Sequence, residues 1–133
     1  MNKTHGIHHA GLTVVDLEAT RSFFVDALGF HQVGEVADYP AAFVSDGTVM
    51  LTLWQADPNA LEANRKTQVG LHHLALKVAD REALDALHDE LAARNDVRIE
   101  FAPEPLRSGP AHHMMFFIPG NIRLELIAPE VAS

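Results

Sequence analysis

Histidine is the residue of this chain best suited to chemistry, and six of the nine histidines in its 133 residues lie in three adjacent pairs. The pairs are His8-His9, His72-His73 and His112-His113. A neutral imidazole binds metals such as Zn, Fe, Ni and Mn, and it also transfers protons near neutral pH. The pairs therefore indicate metal binding, proton transfer or both.

The first two pairs belong to an internal repeat. Residues 6–19 read GIHHAGLTVVDLEA and residues 70–83 read GLHHLALKVADREA, an offset of 64. Each copy alternates like a strand, so neighbouring side chains should point to opposite faces. We expect His8 and His72 to face helices and serve packing, and His9 and His73 to lie on the mixed face, which could line a cavity.

The rest of each copy predicts how these strands are held. Asp16 and Asp80 are favoured N-cap residues, which predicts helices over about 17–28 and 81–94. Three strand-like runs follow each helix: HQVGEV, AAFVSD and TVMLTLWQ in the first half, and VRIEFA, HHMMFFI and IRLELIA in the second. The pattern predicts an α+β fold in which two βαβββ modules form a half-open mixed sheet.

The domain organisation follows from the same repeat. We expect one domain over residues 1–133, composed of a module at 1–56, a polar linker at 57–68 and a second module at 69–133. Modules of this size need each other to bury their faces.

A metal site needs a third ligand, and the last strand offers one. Glu125 is the one carboxylate in NIRLELIAP, where apolar residues otherwise alternate regularly. Glu125 is either a ligand or a solvent-facing glutamate. His9 and His73 are either ligands or hydrogen-bonded, half-buried histidines. Their matched placement in both copies favours the ligand interpretation.

Composition restricts the partners. The formal net charge is −8, which argues against nucleic acid and anionic membrane surfaces. The chain has no cysteine, so thiolate chemistry is excluded. It has no signal-like N-terminus and no apolar run of about 20 residues. We expect a cytoplasmic protein that acts on a small molecule, without nucleic-acid or membrane partners.

Together these residues resemble the vicinal oxygen chelate superfamily, which includes glyoxalase I, extradiol dioxygenases, fosfomycin-resistance transferases, methylmalonyl-CoA epimerases and bleomycin-binding proteins. The resemblance covers nearly the whole chain. It is carried by HHAGLTVVDLEATRSFFVDALGF, HHLALKVADREAL and FFIPGNIRLELIAP.

The resemblance implies a divalent metal ion (Fe, Mn, Zn or Ni) held by His9, His73 and Glu125. The position equivalent to Glu125 in the first module is Thr52, where glyoxalase I usually has Glu or Gln. Threonine is not expected to bind the metal, so three protein ligands would leave positions for two substrate oxygens.

Three functions remain open. The first is a glyoxalase- or isomerase-like enzyme acting on a small molecule that chelates the metal through adjacent oxygens. The second is an Fe(II)- or Mn(II)-dependent extradiol dioxygenase, although Met115 replaces the tyrosine such relatives tend to carry ten residues before the glutamate. The third is a non-catalytic binding protein of the bleomycin or fosfomycin resistance type.

For catalysis, Glu125 and His113 are the candidates. Strand parity places His113 on the same face as Met115, where it is either a general acid or base or a wall of the pocket. The resemblance also implies a homodimer. The candidate pocket residues are Thr52, Trp54, Phe43, Met115 and Arg123.

Overall fold

The structure, a computed structural model, describes residues 1–129. The chain forms two compact units that divide after Ala60. Each unit contains one βαβββ module with its own four-stranded mixed sheet, which confirms the predicted fold class. No helix within residues 1–129 is long and apolar enough to span a membrane.

The first module has the sheet order β1-β4-β3-β2. Strand β1 runs parallel to β4, and the other neighbours are antiparallel. Its elements are β1 (Ala10–Val14), α1 (Leu17–Ser22), a π-helical turn (Phe23–Ala27), β2 (His31–Val36), β3 (Ala41–Ser45) and β4 (Met50–Gln55).

The second module repeats this topology with the order β5-β8-β7-β6, and β5 is parallel to β8. Its elements are β5 (Leu74–Lys77), α2 (Arg81–Ala92), β6 (Arg98–Pro105), β7 (His112–Ile118) and β8 (Ile122–Ala128).

The predicted caps begin both helices. The Asp16 carboxylate accepts a hydrogen bond from the Ala19 N–H at 3.0 Å, and the Asp80 carboxylate accepts one from Ala83 at 2.8 Å. Each cap stabilises its helix by about 1 kcal/mol. The caps also fix the point at which the first strand of each module ends.

The first helix departs from the regular helix expected over 17–28. After Ser22 it widens into the π-helical turn, and Phe23 and Phe24 are both fully buried with their rings edge to face at 5.4 Å. Consecutive residues of an α-helix point about 100° apart, so a wider turn helps two adjacent rings reach one core. The turn ends at Ala27 with Leu28 as its cap, and Gly29 follows with a φ of 77°.

One face of each sheet packs on the helix of its own module. In the first module the buried residues include Leu12, Val44, Leu51 and Leu53. In the second module they include Leu76, Met114, Phe116, Leu124 and Leu126. The opposite faces carry polar and aromatic side chains together, among them Thr52 and Trp54 in the first module and Glu125 in the second.

The structure corrects the positions of two histidine pairs. Strands β1 and β5 begin at Ala10 and Leu74, so both pairs precede the pleated backbone. His8 and His72 are exposed, and the expectation that they pack against the helices is wrong. Side chains of strand neighbours point apart, whereas the two rings of each pair contact each other, so the pairs do not follow the alternation predicted for them.

Candidate functional site

Glu125 lies at the centre of the open face of the second sheet. Strand β8 is flanked by β5 and β7, and Glu125 pairs with Ala75 on one side and Met115 on the other. Only 7% of the residue is exposed. A carboxylate this buried needs polar partners, and two histidines supply them.

The first partner is His113, which β7 places on the same face. His113 Nδ1 lies 2.5 Å from Glu125 Oε2, a short charge-assisted contact in which the ring nitrogen donates. Its other nitrogen, Nε2, lies 3.8 Å from the half-exposed carboxylate of Glu104. Phe101 contacts the ring edge-on at 5.0 Å between centroids. His113 therefore lies between a buried carboxylate, to which it is hydrogen-bonded, and a solvent-exposed one nearby.

The second partner is His73, whose Nε2 lies 3.3 Å from Glu125 Oε1. Its Nδ1 is engaged elsewhere, at 2.8 Å from His72 Nδ1. The first module repeats this arrangement, because the Nδ1 atoms of His8 and His9 are also 2.8 Å apart. The ring centroids are 5.1 Å apart in both pairs. In both modules the second histidine is left with Nε2 for chemistry.

The atoms of the His73–Glu125 contact fit a metal. A carboxylate oxygen and an unprotonated Nε2 both present lone pairs, so the contact is stable only with a proton or a cation between them. Two ligand atoms that each lie about 2.1 Å from one ion are roughly 3.0–3.4 Å apart. The observed 3.3 Å falls in that range.

The second module alone does not complete a ligand set. Within residues 1–129, no three His, Cys, Asp or Glu side chains come together closely enough to hold an ion. His73 and Glu125 can supply two ligands from one sheet. The predicted contribution of His9, which belongs to the first module, stays a prediction.

The register shows what stands opposite Glu125 in the repeat. Gly11 pairs with Thr52 as Ala75 pairs with Glu125, which supports the alignment of Thr52 with Glu125. The Thr52 hydroxyl accepts a hydrogen bond from Trp54 Nε1 at 2.9 Å. A Cβ on Gly11 would lie 3.0 Å from that hydroxyl, so glycine leaves room for this pair.

Aromatic rings dominate the open face of the first module. Trp54 contacts Phe43 at 6.0 Å and Tyr39 at 5.1 Å between ring centroids. Phe43 and Trp54 were predicted from the sequence, but Tyr39 was not. The sequence contains a single tyrosine, and that was the one feature that could have drawn attention to it. In the structure Tyr39 lies in the turn before β3 and 59% of its surface is exposed.

Arg123 lies on the same face of β8 as Glu125, and Glu100 holds it. The guanidinium donates two hydrogen bonds to that carboxylate, at 2.8 and 2.9 Å. These bonds hold the pKa of Glu100 below its ordinary value and raise the pKa of Arg123. Desolvation and the positive charge of Arg123 lower the pKa of His72. The predicted role of Arg123 in a substrate pocket stays a prediction.

Sequence reasoning missed the residues of β6 that face this site: Glu100, Phe101 and Glu104. Their pairing with β7 shifts register twice, between Ile99 and Phe101 and between Phe101 and Glu104. A regular two-residue alternation therefore does not locate them. The one signal available was that Glu100 is a charged residue within an otherwise strand-like run.

Residues 6–130 match the model of the Glyoxalase/Bleomycin resistance protein/Dioxygenase superfamily. The uncharacterized protein YqjT of Bacillus subtilis is 27% identical, covering 92% of this chain and 98% of that protein. A 2-epi-5-epi-valiolone epimerase of Actinomyces sp is 28% identical and covers 91% and 78%. A catechol-2,3-dioxygenase of Bacillus subtilis is 33% identical, but over 61% of this chain and 28% of that protein.

Solved structures share the fold. A glyoxylase/bleomycin resistance protein/dioxygenase domain from Frankia superposes with a TM-score of 0.83 at 23% identity, covering 96% of this chain and all of that one. The fosfomycin resistance protein FosX of Listeria monocytogenes, in a mutant form complexed with Mn(II), superposes with a TM-score of 0.75 at 18% identity, covering 96% and 93%.

Proposed function

The chain belongs to the Glyoxalase/Bleomycin resistance protein/Dioxygenase superfamily, and we propose that it is a divalent-metal-dependent, isomerase-like enzyme. Its substrate would be a small molecule that presents two adjacent oxygens to the ion. The observation that carries this proposal is the buried Glu125 carboxylate, flanked by His73 at 3.3 Å and by His113 at 2.5 Å.

The proposed roles follow from these contacts. Glu125 and His73 would hold the ion, and His9 is the ligand that the first module would supply. A divalent ion at such a site acts as a Lewis acid towards a bound carbonyl oxygen. His113 would pass its Nδ1 proton to Glu125 Oε2 and take up a second proton at Nε2, which Glu104 would bring from solvent; the reverse steps would restore the starting state.

The aromatic face of the first module supports an apolar part of the substrate. The rings of Trp54, Phe43 and Tyr39 are mutually in contact or share a neighbour, and the Thr52 hydroxyl is already bonded to Trp54. Such a surface favours a planar or cyclic carbon skeleton over a strongly hydrated one.

Proton transfer is favoured over the alternatives by the His113–Glu125 pair. A carboxylate and an imidazole in contact provide a base and a proton carrier. The similarity to an epimerase over most of both chains is in keeping with this chemistry. An extradiol-type dioxygenase remains the second candidate, supported by the 33% identity to a catechol dioxygenase.

The first test is the metal content of the untagged protein, compared with His9→Ala, His73→Ala and Glu125→Ala. We expect about one Fe, Mn, Zn or Ni per chain in the parent and little in the three variants. His31→Ala on β2 is the matched control, because it removes an exposed histidine that is not among the proposed ligands. A parent that binds no metal after reconstitution would leave a drug-binding protein as the better interpretation.

The second test separates the two enzyme classes. The metal-loaded protein is incubated in deuterated water with panels of α-hydroxycarbonyl compounds and of catechols. An isomerase-like enzyme would exchange a carbon-bound hydrogen beside a carbonyl for deuterium. Oxygen uptake with catechols, and no exchange, would favour the dioxygenase. The expected homodimer is checked in parallel by light scattering.

A further inference from the structure

His72 lies between the candidate ligand His73 and a guanidinium. Arg123 Nη1 is 3.5 Å from His72 Nδ1, the same atom that meets His73 Nδ1 at 2.8 Å. A guanidinium carries only donors. An N–H on His72 Nδ1 would therefore point at another donor, whereas a lone pair there is favourable. The position of Arg123 favours the tautomer in which His72 Nδ1 is an acceptor.

This choice determines the protonation of His73. A hydrogen bond between two Nδ1 atoms needs one donor, and with His72 as the acceptor the donor is His73 Nδ1–H. A neutral imidazole has one N–H, so His73 Nε2 is left with its lone pair. That is the form that binds a metal, and it faces Glu125 Oε1 at 3.3 Å.

Arg123 is well held for such a task. Its side chain is 10% exposed, and Glu100 anchors it with two hydrogen bonds. It precedes Glu125 by two residues on β8, so both side chains point to the same face. Strand β8 thus supplies both a candidate ligand, Glu125, and the group that would orient the other candidate ligand, His73.

We propose that Arg123 is a positioning residue that selects, through His72, the His73 tautomer with a free Nε2. The inference rests on the proposed function, because it assumes that His73 is a metal ligand. In the metal-free protein Glu125 favours the opposite tautomer, because its carboxylate can accept an Nε2–H. Arg123 opposes that preference and keeps the ligand atom ready for the ion.

The first module provides an internal control. Its His8–His9 pair has the same 2.8 Å contact, but the register places Met50 where the second module has Arg123. A methionine side chain has no hydrogen-bond donor. Substitution of Arg123 should therefore alter His73 and leave His9 unchanged.

The test is long-range ¹H–¹⁵N NMR of histidine side chains in the metal-free, full-length protein near pH 8, where most imidazoles are neutral. We expect a measurable fraction of His73 as the Nδ1–H tautomer in the parent and a several-fold smaller fraction in Arg123→Met. Arg123→Lys, which retains a donor, should restore part of the parent ratio. An unchanged ratio in Arg123→Met would overturn the inference.

Zn(II) affinity, measured by chelator competition, is the second readout. We expect binding about 10-fold weaker in Arg123→Met, the scale typical of groups that orient a ligand. Arg81→Met, which removes an exposed arginine paired with Asp85, should bind like the parent. If Arg123→Met folds poorly, Glu100→Gln is used instead, because it loosens Arg123 without removing it. We expect its Zn(II) affinity to lie between those of the parent and of a variant without Arg123.

The two readouts separate the two proposals. A tautomer shift without Zn(II) binding in any variant would refute the metal role and leave the positioning role standing. Zn(II) binding with a tautomer that does not respond to Arg123 would refute the positioning role alone.

Discussion

The two modules have one architecture and two different open faces. Their sheets match strand for strand, and their leading histidine pairs have the same 2.8 Å contact. Where the second module has Glu125 between imidazoles, the first has Thr52 bonded to an indole. The repeat therefore fixes where a side chain stands, and the residue type at that place decides whether the face suits an ion or a carbon skeleton.

A smaller difference supports the same division. The residue beside Thr52 is Gly11, whereas the residue beside Glu125 is Ala75. The missing Cβ admits the Thr52 hydroxyl and the Trp54 ring at close range. The second module needs no such space, because its carboxylate points towards the histidines.

The largest expected effect comes from replacing the polar side chains at the two matched positions, Glu125 and Thr52. Glu125→Gln should reduce metal affinity by about 100-fold or more and abolish activity, since a neutral amide replaces an anionic ligand. Thr52→Val should change metal affinity by less than about 2-fold. Metal titration of both variants measures the contrast, and equal losses would show that the faces are not divided by chemistry.

Matched truncations in the two cores test whether the modules pack alike. Leu51 on β4 and Leu124 on β8 are aligned and fully buried. Leu→Ala at either site should lower the free energy of unfolding by about 2–5 kcal/mol. Chemical denaturation gives both values. A cost confined to one position would indicate that the other core is loosely packed.

Substitution of the small residues beside the matched positions should destabilise the protein less than the core truncations do. Gly11→Ala should destabilise the first module by about 1–3 kcal/mol and perturb Trp54 fluorescence, because the new Cβ meets Thr52 Oγ1 at 3.0 Å. Ala75→Gly should cost about 0.5–1 kcal/mol, the usual loss for glycine in a strand. Thermal unfolding followed by circular dichroism checks both, and the emission of Trp54 reports on the first module.

The smallest effect is the pH dependence of the Glu100–Arg123 pair. Because the pKa of Glu100 is lower in the folded state, the stability it adds is present above the ordinary glutamate pKa and disappears as pH falls through the folded value. The parent should exceed Glu100→Gln by less than about 1 kcal/mol at pH 7, and the gap should close under acid conditions. A gap that grows on acidification would contradict the assigned sign.

The sequence predicts the elements well, since their causes are local. Asp16 and Asp80 mark the helix starts through caps, and the three strands after each helix follow from alternation. Thr52 could be aligned with Glu125 because the flanking leucines repeat.

What the sequence could not provide depends on contacts between distant or irregular segments. Each histidine pair precedes its strand and has its two rings in contact, whereas alternation assumes that neighbouring side chains point apart. The hydrogen bonds between Glu100 and Arg123 join β6 to β8, and the position of Glu100 depends on the register shifts between β6 and β7. Neither appears in the order of residues along the chain.

The parallel pairing of β5 with β8 has a consequence for how the site is made. His73 stands before the first strand of its module and Glu125 on the last, so their contact spans almost the entire module. Contacts between such distant segments form late, after the nearer hairpins have reduced the entropy of closure. During synthesis His73 can therefore meet the Glu125 carboxylate only after β8 has left the ribosome, so the pair forms as one of the last contacts of its module.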